Sequence, residues 1–495
     1  MRAFTKAAVR AVTFVVLGAS VAVAQSTNTA LVIDGRWDAT ITTLGTVIPF
    51  RLDIAGSGPA LKGILFDGTR PNDGTSSVTF ENNKLTLKLD QYLTTISATL
   101  QDGKLTGYLV TERDSNAKKV VKAGATNADA NATEIERLQK VEFGENPYGS
   151  SAFQAVRHVD TAEAALADVP QIGGSWIIPL SSLSIKGESA FRFIVKQQGA
   201  YVEASILRVD GDTGAYSGTY KDGKWLLSHF DGGRPGVIEV TLQKDGSLEI
   251  GQLGGIARKT PATKEGNSPD AASDVANVQT SGRYSRTLVA YRPEVEKAKG
   301  LPQPDDYQTH TGIRDPDEVF KFSFPNDHGK LVSSDDPQFK GKVVIAMVTG
   351  TWCANCHDEA QYLVQLYSKY HSKGLEIVAL DFEEPAQVNS LAREQAFVKH
   401  YGVKYNYLIA GTTAEVWEKI PYFTNLNSWP TIIFVGRDGK VKATHTGFAS
   451  PASGEFYNQL KAEFESNVEN LLADKPVQSL QDLAAAGVVS ARAGQ

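Results

Sequence analysis

Cysteine is nearly absent. The 495-residue chain has two, which excludes a disulfide-stapled scaffold. Methionine is as rare, with Met347 the only one beyond the first residue, and the eight histidines show no second ligand pair at zinc-site spacing. No long Lys/Arg run occurs and the formal net charge is −6, which argues against nucleic acid or an anionic membrane surface as partner. Beyond the first 24 residues no apolar stretch is long enough to cross a bilayer. What is present is an ordinary globular composition, 41% hydrophobic and 21% charged. The length exceeds what one core covers, so about three domains are expected.

Arg2, Lys6 and Arg10 precede an apolar run from Ala11 to Val23, and Ala22-Val23-Ala24 supplies a small-x-small cleavage pattern before Gln25. Residues 1–24 read as a secretory signal peptide. The run is short for an anchoring span, and no cysteine follows it to carry a lipid. Removing these three basic residues and no acid takes the charge from −6 to −9. The expected location is therefore export, periplasmic or otherwise extracytoplasmic, with no membrane span after cleavage. A pair of cysteines two residues apart closes too short a loop to stabilise an exported fold much, so reactive thiols are expected.

Residues 25–115 read as a first β domain. Ile41–Leu44, Phe50–Ile54 and Leu85–Leu89 alternate with period two, and Asp73-Gly74, Asn82-Asn83 and Asp102-Gly103 are hairpin turn signals. Residues 171–258 repeat the pattern. Ile33-Asp34-Gly35-Arg36-Trp37 matches Ile172-Gly173-Gly174-Ser175-Trp176, Thr79–Leu85 parallels Thr219–Trp225, and Leu100–Gly103 parallels Leu242–Gly246. Three matches in one order indicate an internal duplication, with Trp37 and Trp176 as core residues. The loops Asp67-Gly68-Thr69-Arg70-Pro71 and Asp231-Gly232-Gly233-Arg234-Pro235 are also related, and their composition reads as turns. Residues 116–170 read as a linker with short helices at Glu134–Val141 and Thr161–Ala167. Residues 259–317 read as a second linker, and 472–495 as a C-terminal tail.

From residue 318 the rhythm changes to α/β. Val343–Val348 is a continuous apolar run, as expected of a strand buried on both faces. It leads into Gly350-Thr351-Trp352-Cys353-Ala354-Asn355-Cys356-His357, then a helical pattern and a further strand at Leu375–Leu380. At such a junction Cys353 meets the unpaired N–H groups and dipole of a helix N-terminus, which favour its thiolate. Cys356, one turn later, is placed to resolve a mixed disulfide. Cys353–His357 also matches the covalent haem c pattern C-x-x-C-H. Here, however, the motif follows a buried strand, and Met347, the one internal methionine, lies inside that strand.

The apolar strand, Trp352-Cys353-x-x-Cys356 opening a helix, Trp429-Pro430-Thr431 before a hairpin, and Gly341-Lys342-Val343 entering the first core strand stand in a recognisable order. With them, residues 318–471 resemble the thioredoxin superfamily, specifically the exported TlpA/ResA-like thiol-disulfide oxidoreductases. The resemblance implies a cis Trp429–Pro430 bond facing the dithiol and makes Glu359 a candidate proton acceptor for Cys356. It makes Trp352, Trp429 and Pro430 candidate substrate-binding residues. It also implies no metal and no cofactor beyond the Cys353–Cys356 disulfide, with protein thiols or disulfides and an upstream electron donor as partners. Met347 stands where thioredoxins proper carry a buried acid, and Gly350 where a peroxiredoxin would place Thr. Ala354-Asn355 supplies no cation to a thiolate while Asp358 and Glu359 add negative charge, which points away from a strong oxidant. His357 is expected at the surface and Asp358 as a solvated first-turn acid.

The expected architecture is two duplicated antiparallel β barrel or sandwich domains followed by an α/β thioredoxin fold. The expected function is an exported protein-disulfide reductase. The alternatives are a binding or scaffold protein whose β domains do the work, a thiol oxidase, and a covalent haem c protein.

Overall fold

Strict inward–outward alternation builds the first half of the chain. In β1 (Gly35–Thr43) Trp37, Ala39 and Ile41 point inward and are buried, while their neighbours face outward. The computed structural model describes residues 33–43, 45–72, 74–111, 150–159, 168–253, 284–384 and 391–489. The signal-peptide segment, the helices expected at Glu134–Val141 and Thr161–Ala167, and residues 259–283 lie outside them. Asp34–Gln495 form one compact unit, to which everything below refers.

The first sheet continues with β2 (Thr46–Ala55), β3 (Lys62–Asp67), β4 (Arg70–Pro71), β5 (Ser77–Glu81), β6 (Lys84–Leu89), β7 (Thr94–Gln101), β8 (Lys104–Thr111) and β9 (Ser150–Arg157). Its order is β4-β3-β2-β1-β9-β8-β7-β6-β5, an open half-barrel. The second holds β10 (Gly174–Pro179), β11 (Ala190–Gln198), β12 (Tyr201–Arg208), β13 (Gly211–Asp212), β14 (Tyr216–Lys221), β15 (Lys224–His229), β16 (Gly236–Leu242), β17 (Leu248–Leu253) and β18 (Tyr284–Ala290). Its strands run β10-β11-β12-β14-β15-β16-β17-β18, with β13 paired to β12. Reciprocal hydrogen bonds of 2.8 Å between Ile177 in β10 and Tyr291 after β18 bring its ends together into a near-barrel.

The two sheets share one nine-strand plan. β13 pairs with β12 as β4 pairs with β3, and β18 returns to β10 as β9 returns to β1. Two-residue turns with both residues at positive φ, Asn82-Asn83, Asp102-Gly103 and Asp222-Gly223, join β5–β6, β7–β8 and β14–β15. This duplication corrects the linker boundaries. Ser150–Arg157 and Tyr284–Ala290 read as linker in sequence, yet each is the ninth strand of its sheet. Each follows a long segment of small and polar residues, and its own alternation is too brief to stand out beside it.

The last part begins with the short helix α1 (Pro293–Ala298) and the strands β19 (Gly312–Ile313), β20 (Ser323–Pro325) and β21 (Leu331–Ser333). A five-stranded sheet follows, built from β22 (Val343–Thr349), β23 (Leu375–Glu383), β24 (Asn406–Thr412), β26 (Thr431–Val435) and β27 (Val441–Thr446), with the two-residue β25 (Phe423–Thr424) apart from it. Its order is β24-β23-β22-β26-β27, parallel across β22–β24 and antiparallel beyond. The helices are α2 (Ala354–Tyr370), α3 (Ala392–Tyr401), α4 (Val416–Lys419), α5 (Glu455–Leu472) and α6 (Leu480–Ala485). All seven residues of β22 are buried. They divide between two apolar clusters, Ile345 and Met347 packing with Leu363 and Phe464, Ala346 and Val348 with Cys353 and Cys356. The tail is not featureless either: α6 is capped by Ser479 and Asp482, and Gln308 accepts the Leu480 amide at 3.2 Å. Among the described residues no helix is long and apolar enough to cross a membrane.

Phe153, fully buried in β9, tests the nine-strand plan. Phe153→Ala is expected to lower unfolding free energy by about 3–5 kcal/mol in a denaturant titration, whereas a residue in a linker would change it by less than about 0.5 kcal/mol.

Candidate active site around Cys353 and Cys356

The thiol motif is the turn between β22 and α2. Gly350 has no room for a side chain, because a Cβ there would lie 2.3 Å from the Trp352 indole nitrogen. Glu383 at the end of β23 accepts both the backbone N–H of Thr351, at 2.9 Å, and its hydroxyl, and Arg393 Nε donates to the same hydroxyl at 2.8 Å. Trp352 Nε1 donates to Phe382 O at 3.0 Å. The turn is thus pinned to β23 and α3 before the helix begins.

Cys353 is the N-cap of α2 and Cys356 lies in its first turn. Both are free and buried, Cys353 with 7% of its surface exposed and Cys356 with none. The Cys353 thiol donates to Trp429 O at 3.3 Å. The Trp429–Pro430 peptide is cis, and Pro430 O accepts the Gly447 N–H at 2.8 Å. Trp429 is buried and packs on Trp352 with ring centroids 5.8 Å apart. The motif and the Ser428–Thr431 turn therefore meet at the nucleophile position, and Gly447 is bonded to that turn.

Glu359 is fully buried on the same helix, and neither carboxyl oxygen has a hydrogen-bond partner. Burial first, then the charge of Cys353, pushes its carboxyl well above the usual range. Burial, contact with the Cys353 sulfur and the charge of Glu359 push the Cys356 thiol well above its ordinary value. Tyr405, whose buried hydroxyl is also unpartnered, is raised by burial and then by Glu359 and Cys356. A second buried acid is Asp381 of β23, level with Thr349 in the parallel ladder. Burial and then Glu383 and Glu394 hold it well above the usual carboxylate range. The sequence offered no signal for Asp381, which sits in an apolar run.

Two expectations are corrected. His357 is buried rather than at the surface. Its Nε2 donates to Thr351 O at 2.8 Å, its Nδ1 accepts from Tyr401 at 2.9 Å, and its ring stacks on Tyr92 with centroids 4.2 Å apart. Burial lowers its pKa to about 3, so the ring is neutral, and both nitrogens are engaged within the protein. Asp358 is not solvated. Its carboxylate lies 3.0 Å from Arg234 Nη2, yet burial raises its pKa to about 7, because Asp212, Asp231 and Asp67 crowd the same guanidinium.

Arg234 belongs to the second of the two related loops, which does more than turn. In each loop the Asp pairs with the Arg three residues on, Asp67 with Arg70 and Asp231 with Arg234, and His229 lies between the two acids at 3.5 Å from each. Arg234 Nη1 also donates to Asn355 Oδ1 at 3.0 Å, and Asn355 Nδ2 donates to Asp210 O at 2.9 Å. The β domains therefore touch the redox helix at Asn355, His357 and Asp358. The repeated Asp-Gly-x-Arg-Pro pattern was the one available signal for this contact.

Comparison with known proteins gives the same region. Residues 316–444 match the model of the AhpC/TSA family. The thiol-disulfide oxidoreductase ResA of Bacillus thuringiensis subsp. konkukian is 37% identical over 115 residues, 23% of this chain and 58% of that protein. ResA of Bacillus subtilis is 30% identical over 126 residues, 26% of this chain and 64% of its own length. The chain thus spans somewhat under two thirds of these relatives. A thioredoxin-family thiol:disulfide interchange protein of Chlorobium tepidum, known as a crystal structure, aligns over 32% of this chain and 97% of its own at 24% identity, with a TM-score of 0.25. Residues 316–444 are a thioredoxin-like domain of the AhpC/TSA family, homologous over this C-terminal part of the chain to the ResA thiol-disulfide oxidoreductases.

Proposed function

We propose that the chain is an exported thiol-disulfide oxidoreductase that reduces protein disulfides, with Cys353 as nucleophile and Cys356 as resolving thiol. One observation carries this reading: two free thiols in the first turn of α2 share a buried site with the unpartnered carboxyl of Glu359. Cys353 attacks as its thiolate from the N-cap of α2. Its attack forms a bond to one substrate sulfur and expels the other as a thiolate, which takes up a proton. Cys353 is then uncharged, and its contribution to the raised Glu359 pKa disappears. Glu359 gives up its proton more readily at this stage, to the departing substrate thiolate, and can then accept the one on Cys356. The Cys356 thiolate attacks Cys353 Sγ, closes the disulfide and releases the second substrate thiol. Two electrons have passed to the substrate, and a donor of the thiol class must return them.

Export rests on the N-terminal pattern of residues 1–24, and a periplasmic or other extracytoplasmic setting follows from it. The rival reading, a scaffold with an accessory redox domain, fits less well, since both sheets contact the redox helix itself. The β domains are better regarded as parts that shape access to the dithiol. Trp429 and Pro430 are both buried, so they would present a substrate only from the inner wall of that site.

Cys353→Ser is expected to abolish reduction of a protein disulfide, and Cys356→Ser to accumulate a covalent mixed disulfide visible on non-reducing gels; undiminished turnover by Cys353→Ser would refute the assignment. Glu359→Gln tests the buried acid through stability. Between the unfolded and folded pKa values of Glu359 the native state holds a proton that the unfolded state has lost, so wild-type stability falls as pH rises. The variant lacks this term and should gain on the wild type by about 1.4 kcal/mol per pH unit above about pH 5. A difference independent of pH would show that Glu359 is ionised in the fold.

A further inference from the structure

Around Cys353 lie Asn355 of its own helix, the Trp429 carbonyl that its thiol meets at 3.3 Å and, bonded to Pro430 O, the Gly447 amide. Part of these surroundings is already covered. Gly211 of β13 forms a parallel bridge with Phe448. A Cβ on Gly447 would lie 2.2 Å from Val209 O, and one on Gly211 would lie 2.4 Å from Phe448 O and 2.8 Å from Asn355 Cγ. Asp210 O holds the Asn355 amide at 2.9 Å. The Asp212 carboxylate accepts from Ser450 N at 2.7 Å, from Ser450 Oγ at 3.0 Å and from Ser453 Oγ. Beside the Trp429–Pro430 turn, Asn427 Nδ2 donates to Lys186 O at 3.2 Å. Asn355, Pro430 and Phe448 are consequently buried, and little of Cys353 meets solvent.

Building on the reductase reading, we propose that Val209–Asp212, latched by Asp212 and Arg234, is a fixed wall of the substrate groove and the specificity-determining element of the enzyme. It leaves Cys353 open to disulfides carried on a narrow, extended chain segment and closed to those on folded surfaces. The wall is fixed because its holding groups are themselves paired: Lys186 with Asp210, both buried, and Arg234, mostly buried, with Asp231 and Asp358. A groove of this kind discriminates by shape before any chemistry begins.

Two substrates separate the outcomes: a flexible peptide bearing one cysteine as a glutathione mixed disulfide, and the same mixed disulfide at an exposed helical cysteine of a stable folded carrier. The full wild-type chain should reduce the peptide with a kcat/KM at least about tenfold above that for the carrier. Gly211→Ala, which forces the wall off Phe448, and Arg234→Ala, which removes the latch, should each shrink that ratio. Equal wild-type rates overturn the wall without touching the reductase reading, and need no variant to fold. A wild-type preference that persists undiminished in both folded variants, checked by circular dichroism, also overturns it. Reduction of neither substrate would remove the reductase reading, and the wall with it.

Discussion

One guanidinium, that of Arg234, joins the duplicated sheets to the redox helix. It meets Asp231 of its own loop at 3.1 Å, the Asp212 backbone carbonyl at 3.2 Å, and Asn355 and Asp358 of α2 at 3.0 Å each. A largely buried cation is tolerated only when its charge and its donors are satisfied, so this group enforces a register among three parts of the chain. The first sheet joins through the same cluster, by way of Asp67 and His229, and through Tyr92 stacked on His357. The redox motif cannot adopt its observed packing without both sheets in place.

Enclosure sets the chemistry of the dithiol. Where water is excluded, neutral forms are favoured, and the site shows this in Cys356, Glu359, Asp381 and Tyr405, all displaced toward protonation. Arg234 is spent on carboxylates rather than on sulfur. Burial holds the Cys356 thiol toward its protonated form, which accords with the proposed reading of a dithiol that is no strong oxidant.

The thioredoxin-like domain was legible because its signals are local and strong. The apolar run of β22, the Cys353–Cys356 spacing and the Trp429-Pro430 pair each point to one structure over a few residues. The duplication was legible from the Trp37 and Trp176 strands and from matching turns. The ninth strands were not, since Ser150–Arg157 and Tyr284–Ala290 draw their partners from far along the chain and follow long polar segments. The burial of His357 and Asp358 was hidden for a related reason. On an isolated helix both would face solvent, and only the long-range arrival of Tyr92 and Arg234 covers them. Local pattern predicts a helix face, but not what will be laid upon it.

The account stands or falls on the direction in which this dithiol passes electrons. Equilibrating the full chain with defined thiol-disulfide buffers and quantifying the Cys353–Cys356 disulfide gives its reduction potential. A value near that of thioredoxin, about −270 mV, or lower is expected. A value near that of the strong oxidant DsbA, about −120 mV, would contradict it.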